Sequence, residues 1–484
     1  MDYGVSGAAS SSLGTEVERL RTVIGRQFEI YDIRVTYDAI VFFVDCSPST
    51  LEANFDSVRT ALVPQNYIPF LQKRGGEYTI TISKRKPLGK KGNLVNIILL
   101  AVTLVTTTVT GAILWAGYFR ISNLFTLSNF LNGIVYFVVP LMLILGLHEM
   151  GHFVVARRFG VNASLPFFLP SIPPFGTFGA FISIRDPFPN RKALLEIGIA
   201  GPIVGFLVTI PVAIAGLYLT KLNPVAPLPL TPNTTVYLAP YLYQVLLSLF
   251  QFPSDASLFP TAFAAWVGFF VTAMNLLPAG QLDGGHVSRA LLGDYSKYLG
   301  WAAILAMVLL GFVSDIWIFY AILALFMGVR HPPPLNDISR LKVDRKMLGA
   351  VAMAMFLVSV TPIPVTTIPT SSSFSMSASP SSILILNTSP VQYLNLTVEN
   401  TGNIQESVNI TQVQTNGFVA TFGSLGSGPP FLPSVVLDIG VGANATVLVK
   451  VAAVSGTTPG SYILNIQGIS DKISNTLKVD VTYS

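Results

Sequence analysis

His148, Glu149 and His152 stand in the run Gly146 to Gly160, G-L-H-E-M-G-H-F-V-V-A-R-R-F-G, at the end of an apolar stretch. In a helix, residues four apart lie on one face, so both imidazoles can reach one metal ion while Glu149 faces a water at that metal. Zinc is the default metal for such a site. H-E-x-x-H is short enough to arise by chance, but ionisable residues in a hydrophobic span are expensive and are usually functional or paired. Two histidines leave a catalytic zinc short of a third protein ligand. The stretch Asn275 to His286, N-L-L-P-A-G-Q-L-D-G-G-H, offers Asp283, a hard oxygen donor in a glycine turn. Its competing roles are a helix cap or a partner for Arg289. His286 and His331 lie near water-facing boundaries, where an uncommitted histidine is inexpensive, and both are left outside the ligand set.

These residues must be positioned by membrane-embedded helices. The chain of 484 residues is 51% hydrophobic and only 11% charged, with a mean hydropathy of +0.60, which excludes an ordinary soluble protein. The net charge of +5 comes from basic residues clustered beside apolar runs, a topology signal and not a nucleic-acid surface. The single cysteine, Cys46, excludes an intrachain disulfide framework and reads as a buried structural thiol. The first residues have no basic segment ahead of an apolar core, so they are not read as a cleavable signal peptide; residues 1–15 read as a disordered tail.

Residues 16–92 read as a small α+β domain. Val17, Leu20, Val23, Ile24 and Phe28 have helical spacing, strand-like runs follow at Ile30 to Val35 and Ala39 to Val44, Ser49 and Glu52 suggest a capping box, and Glu77 to Ser83 alternates. Lys84, Arg85, Lys86, Lys90 and Lys91 then precede an apolar run and put this domain in the cytoplasm. Residues 93–365 read as a transmembrane domain of about seven spans, the second passing inward to Arg157 and Arg158. Pro140 is a candidate kink. Leu165 to Asp186 is too rich in proline and glycine for a spanning helix and reads as a loop with one or two strands, either a structural re-entrant hairpin or an extended segment able to receive a substrate by strand addition. Gly198, Gly201 and Gly205 allow close helix contact. Tyr241 to Phe252 is short for a crossing; if it does not cross, Asn275 to His286 arrives on the side of His148, and if it does, the two face opposite sides. Residues 366–382 read as a Ser/Thr/Pro linker, and 383–484 as an exterior all-β domain of immunoglobulin-like type, with glycosylation sequons at Asn387, Asn395, Asn409 and Asn444.

With both motifs in place, the chain resembles the site-2 protease family of intramembrane zinc metalloproteases, peptidase family M50, over roughly Phe130 to Val329. That family pairs H-E-x-x-H with N-x-x-P-x-x-x-x-D-G in a later span, met by Asn275, Pro278, Asp283 and Gly284. The segment Gly176, Thr177, Phe178, Gly179, Ala180, Phe181, the N-R-K-A-L at Asn190 to Leu194 and the A-G-P at Ala200 to Pro202 look like its archaeal and plant plastid members. The resemblance implies one zinc per chain held by His148, His152 and Asp283, Glu149 as general base and acid, and Asn275 positioning substrate or stabilising an oxyanion. It implies hydrolysis of a peptide bond in or near a transmembrane segment, with transmembrane proteins as substrates, the bilayer as surroundings and no nucleic acid. The α+β domain and the exterior β domain depart from the family pattern, and no inserted PDZ-like domain is apparent. Two other classes compete: a non-catalytic membrane-anchored surface binding protein, and an ion- or proton-coupled transporter. Oligomeric state and the role of the outer domains stay open.

Overall fold

The computed structural model describes residues 7–36, 38–85, 93–225, 234–252, 257–413, 417–424, 430–471 and 473–484. Lys86, Lys90 and Lys91 of the basic cluster lie outside them. The chain divides into two compact units, one reaching to Pro364 and a second formed by Val365–Ser484 with Leu228–Tyr237.

The first unit begins with α1 (Gly7–Gly25), so the segment expected to be a disordered tail to residue 15 is helical from Gly7. Leu20 and Ile24 carry one face of α1 into a core with Phe28, the apolar stripe that the spacing predicts. Strands β1 (Glu29–Val35) and β2 (Ile40–Asp45), helix α2 (Leu51–Leu62) and strands β3 (Tyr67–Arg74) and β4 (Glu77–Lys84) complete an antiparallel sheet in the order β1-β2-β4-β3. Strand β3 escaped the sequence reading because Pro69 and the run around it hide the alternation. The expected capping box does not form: Thr50 caps α2 without a side-chain bond, while Ser49 bonds Ser47. Cys46 is half-buried, not buried, and packs at the margin of this core.

Among the described residues three helices are long and apolar enough to cross a membrane: α3 (Leu94–Phe119), the continuous Leu127–Arg158 and Arg191–Leu222. The second consists of α4 (Leu127–Gly133), a π-helical turn at Ile134–Val138 and α5 (Val139–Arg158). Pro140 lacks an N–H to give the preceding turn, and the wider turn directly before it accommodates the loss. Strands β5 (Phe167–Pro170) and β6 (Thr177–Phe181) form an antiparallel hairpin, and α6 (Arg191–Leu222) follows, capped by Asn190, whose side chain accepts from the Ala193 N–H. Strand β7 (Thr235–Tyr237) belongs to the second unit. Helix α7 (Tyr241–Phe250) has ten residues, about 15 Å at 1.5 Å per residue, well short of a hydrocarbon core of about 30 Å. Its Tyr243 is fully buried, the hydroxyl donating to Ala262 O at 2.9 Å. Helix α8 (Pro260–Asn275) is buried along nearly its whole length. Then come α9 (Asp283–Leu292), α10 (Ser296–Leu310), α11 (Ile316–Phe326) and α12 (Val343–Ser359), all shorter than the three long helices.

In the second unit β8 (Val365–Thr367) pairs with β7. Strands β9 (Phe374–Ser379), β10 (Ser382–Ile385), β11 (Val391–Asn400), β12 (Glu406–Gln412), β13 (Phe418–Ser424), β14 (Ser434–Ile439), β15 (Asn444–Ala453), β16 (Gly460–Ile469) and β17 (Ser474–Tyr483) form two sheets, ordered β10-β17-β16-β12-β14 and β13-β15-β11-β9. Leu396, Val449, Ile410 and Ile466 from both sheets share one core. The expected linker 366–382 is therefore largely sheet. Phe374, Met376 and Ala378 alternate with serines in β9, and Phe374 enters the core. The four sequon asparagines are all exposed.

Candidate metal centre

Helix α5 carries His148, Glu149 and His152 on its buried side, at 3%, 3% and 5% exposure. The first turn of α9 brings Asp283 against them. Its Oδ2 lies 3.3 Å from His148 Nε2 and its Oδ1 3.2 Å from His152 Nε2; the two Nε2 atoms are 3.2 Å apart. Among the described residues this trio offers three donor atoms within 4.8 Å of one another, a group able to hold a metal ion. The donor chemistry fits. Ile197 O can only accept, so His152 Nδ1 carries the proton it donates at 2.6 Å. With Nε2 unprotonated, His152 turns a lone pair toward a carboxylate oxygen, a pair of acceptors that a bound metal cation or a second ring proton reconciles. Arg289, the competing partner for Asp283, pairs instead with Asp337 and Asp294.

Glu149 Oε1 lies 3.9 Å from His148 Nε2. Asn275, the last residue of α8, places Nδ2 3.2 Å from His148 Nε2. Every residue that the sequence put at the centre thus arrives at one place, and the two motifs meet on one side of the bundle.

The profile of peptidase family M50 matches residues 136–314, a stretch that contains all five of these residues. Residues 136–314 are therefore similar to peptidase family M50. Similar proteins include two from Arabidopsis thaliana, described as "Probable zinc metalloprotease EGY2, chloroplastic", 29% identical over 229 residues, and "Probable zinc metalloprotease EGY1, chloroplastic", 30% identical over 238 residues. The first match covers 46% of this chain and 40% of the relative, the second 46% and 41%. The EGY1 protein of Oryza sativa subsp. japonica is 32% identical over 235 residues, 45% of this chain and 38% of that one. The chain thus spans about 40% of the length of these relatives. Among solved structures, a family 123 glycoside hydrolase from Clostridium perfringens aligns at 10% identity with a TM-score of 0.18 over 23% of this chain and 27% of that one, too slight a likeness to carry an argument.

Within the M50 stretch, α6 supplies what the motif does not mention. A Cβ at Gly201 would meet His152 Nε2 at 2.1 Å, and one at Gly205 would meet His148 Nδ1 at 2.9 Å. These glycines make room for the two imidazoles. Sequence reasoning singled them out for helix contact but not for this; their shared face on α6, four residues apart, was the available signal. The hairpin lies close by. Asn96 Nδ2 donates to Leu165 O at 2.7 Å and Thr106 Oγ1 to Gly176 O at 2.7 Å, fixing its two ends on α3. Gly176 has φ +74°, and a Cβ there would meet Thr107 Cα at 2.8 Å. In β6 Thr177 and Gly179 are buried, Phe178 and Phe181 exposed and Ala180 half-buried; among the described residues β6 pairs with β5 alone. His286 and His331 stay outside the trio and bond each other, Nδ1 to Nε2 at 2.6 Å.

Proposed function

We propose that this protein is an intramembrane zinc metalloprotease, cutting a peptide bond within or near the transmembrane segment of a membrane protein. The observation that carries the reading is the convergence of His148, His152 and Asp283 beside the Glu149 carboxylate, inside the stretch matching family M50. In this reading His148 Nε2, His152 Nε2 and the Asp283 carboxylate hold one zinc per chain. Zinc bound there supplies Lewis-acid polarisation of a carbonyl and brings the pKa of a water toward neutrality. Glu149 takes the proton from the attacking water and returns it to the leaving amine. Asn275 orients the substrate or donates its amide to the developing oxyanion. Buried at 3% exposure, Glu149 acts where bulk water does not compete.

A helical peptide bond is shielded by its own hydrogen bonds, so the substrate must unwind before attack. Residues Gly176 to Phe181 support the way it is received: among the described residues β6 pairs with β5 alone, which leaves its other edge open to an added strand. An extended substrate added to that edge gains main-chain hydrogen bonds with little sequence dependence.

The three long apolar helices and the apolar sequence stretches around the shorter α8, α10, α11 and α12 make about seven spans in a cell membrane. The apolar runs carry that count and helix length does not, since α11 with 11 residues is by itself as short for a crossing as α7. Arg157 and Arg158 at the end of α5 favour the cytoplasmic side for the α+β domain. The β unit, read as immunoglobulin-like, then lies outside, where exposed sequons have a use. A protease added to intact cells should remove the β unit and spare the α+β domain; the opposite pattern overturns the orientation.

The deciding experiment measures zinc per chain and cleavage of a transmembrane peptide in detergent for the wild type and Glu149→Gln together. The expected result is one zinc in both and cleavage in the wild type alone. Cleavage by Glu149→Gln sinks the mechanism, and a wild type without zinc sinks the metalloprotease reading in favour of an anchor or a transporter.

A further inference from the structure

Beyond the metal trio, α9 presents His286 and Arg289, three residues apart on the helix surface. Both are held by one short segment between α11 and α12. His331 Nδ1 donates to Pro332 O at 2.6 Å, so its Nε2 is left to accept, and His286 Nδ1 donates to it at 2.6 Å. Six residues on, Asp337 accepts from Arg289 Nη2 at 2.7 Å and from Arg191 Nε at 2.8 Å. One carboxylate thus clamps the helix that begins with Asp283 to the helix whose glycines seat both imidazoles. Arg289 is 3% exposed and its Nη1 has no partner among the described residues; its other acid, Asp294, is 88% exposed. Removing Asp337 leaves a buried guanidinium with little compensation.

Between these two contacts the segment is built into the α+β domain. Leu335 lies in that domain's core at 1% exposure, and Leu71 N–H donates to Leu335 O at 2.8 Å. Asn336 forms a parallel bridge with Leu71 of the edge strand β3 and another with Asn190, the cap of α6. Leu335 and Asn336 N–H donate to Phe188 O at 2.9 Å and Pro189 O at 3.0 Å. The segment therefore lies between the sheet of the α+β domain and the start of α6, with one end on each of the two side chains of α9.

We propose that residues 331–337 form a strap through which the docked α+β domain sets the position of Asp283, with Asp337 as a positioning residue for the metal centre. The proposal rests on the reading of His148, His152 and Asp283 as metal ligands. It lies beyond the matched family stretch, which ends at residue 314, and it gives the α+β domain a role: loosening its grip on Leu335 loosens the third ligand.

The test uses the full chain in detergent and measures zinc affinity by competition with a chromophoric chelator, with kcat, KM and thermal unfolding alongside. Asp337→Ala is expected to weaken zinc binding about tenfold, the range seen when groups that orient a metal ligand are removed, and to lower kcat with KM unchanged. Asp337→Glu restores most of the loss. Leu335→Asp, a change in the core of the α+β domain, weakens zinc in the same direction. Tyr118→Phe on α3 removes a hydrogen bond to Asn223 O at the end of α6 and keeps wild-type affinity, separating general destabilisation from the strap. Wild-type affinity in a folded Asp337→Ala overturns the strap and leaves the metalloprotease reading intact, whereas a wild type that binds no zinc overturns that reading instead. If Asp337→Ala does not fold, His331→Ala tests the other end, and unchanged affinity and kcat there overturn the proposal.

Discussion

Helix α9 has ionisable groups buried on two of its sides, and they are balanced differently. On the Asp283 side, His152 gives one ring proton to Ile197 O, so its Nε2 and the Asp283 oxygen 3.2 Å away need either a second ring proton or a metal cation between them. On the Arg289 side each contact has a donor and an acceptor: His331 to Pro332 O, His286 to His331, and two guanidiniums to one carboxylate. Burial alone does not separate a site from a support, since Arg289 is as enclosed as the two histidines of α5. The count of donors does. We read the cluster that lacks a donor as the cation site and the closed one as what holds the backbone still around it.

The sharpest way to break this comparison is to remove a ligand from the open cluster. Asp283→Ala leaves the two histidines without their oxygen donor, and stoichiometric zinc, read by metal analysis after gel filtration, should be lost together with all cleavage; zinc retained at one per chain would show that another group completes the site. Next comes Glu149→Gln, which keeps the shape of the side chain and removes its basicity. Cleavage is expected to fall by about 10²–10⁴-fold, the usual contribution of a positioned acid–base group, while zinc per chain is unchanged. Gly201→Ala ranks third. The added methyl group would enter the space of His152 Nε2, and overpacking of this kind costs about 1–3 kcal/mol, so both zinc affinity and melting temperature should drop. Wild-type zinc binding in Gly201→Ala would mean that α6 does not seat the imidazole.

The open cluster was legible in the sequence and the closed one was not, for a physical reason. His148, Glu149 and His152 announce themselves because three ionisable residues in an apolar run need a purpose, and the glycine turn around Asp283 has the right donor for the missing ligand. The residues of the strap give no such signal. His331 is followed by Pro332, Pro333 and Pro334, which have no N–H to give to a sheet, so the stretch reads as a loop, and only Leu335 resumes donation to a partner. The sequence offered Asp283 as a partner for Arg289 by proximity, and the fold gives that guanidinium to Asp337, distant in the chain. The same masking operates in the second unit, where serines between Phe374, Met376 and Ala378 made a core-entering strand look like a linker. The helices were legible in order and approximate extent, because long apolar runs bounded by charge leave little freedom. The bonding of the α+β domain to the segment before α12 is made by Leu335 and Ile338 against that domain's core and by Asn336 beside Leu71, and could be read only from coordinates.

The smallest expected effect lies at the far end of the strap's support, in the attachment of α1 to its sheet. Glu16 accepts from Tyr67 Oη at 2.8 Å and pairs with Lys84. Burial alone would raise the pKa of its carboxyl group; the hydrogen bonds from Lys84 and Tyr67 outweigh this and hold it below the ordinary value of 4.5. A depressed pKa in the folded state means that the carboxylate contributes stability above the unfolded value, and that this contribution is lost as pH falls through the folded one. Glu16→Gln should therefore destabilise α1 at pH 7 by about 0.5 kcal/mol, as for an exposed ion pair. Hydrogen exchange of the α1 amides would show the two proteins converging in acid. A difference that persisted or grew below the folded pKa would assign the effect to packing and not to charge. Because Leu335 is anchored at Leu71 and not at Tyr67, zinc affinity at pH 7 should be the same in both. A fall in affinity with so mild a loosening would mean that the closed cluster senses the whole domain and not only its edge strand.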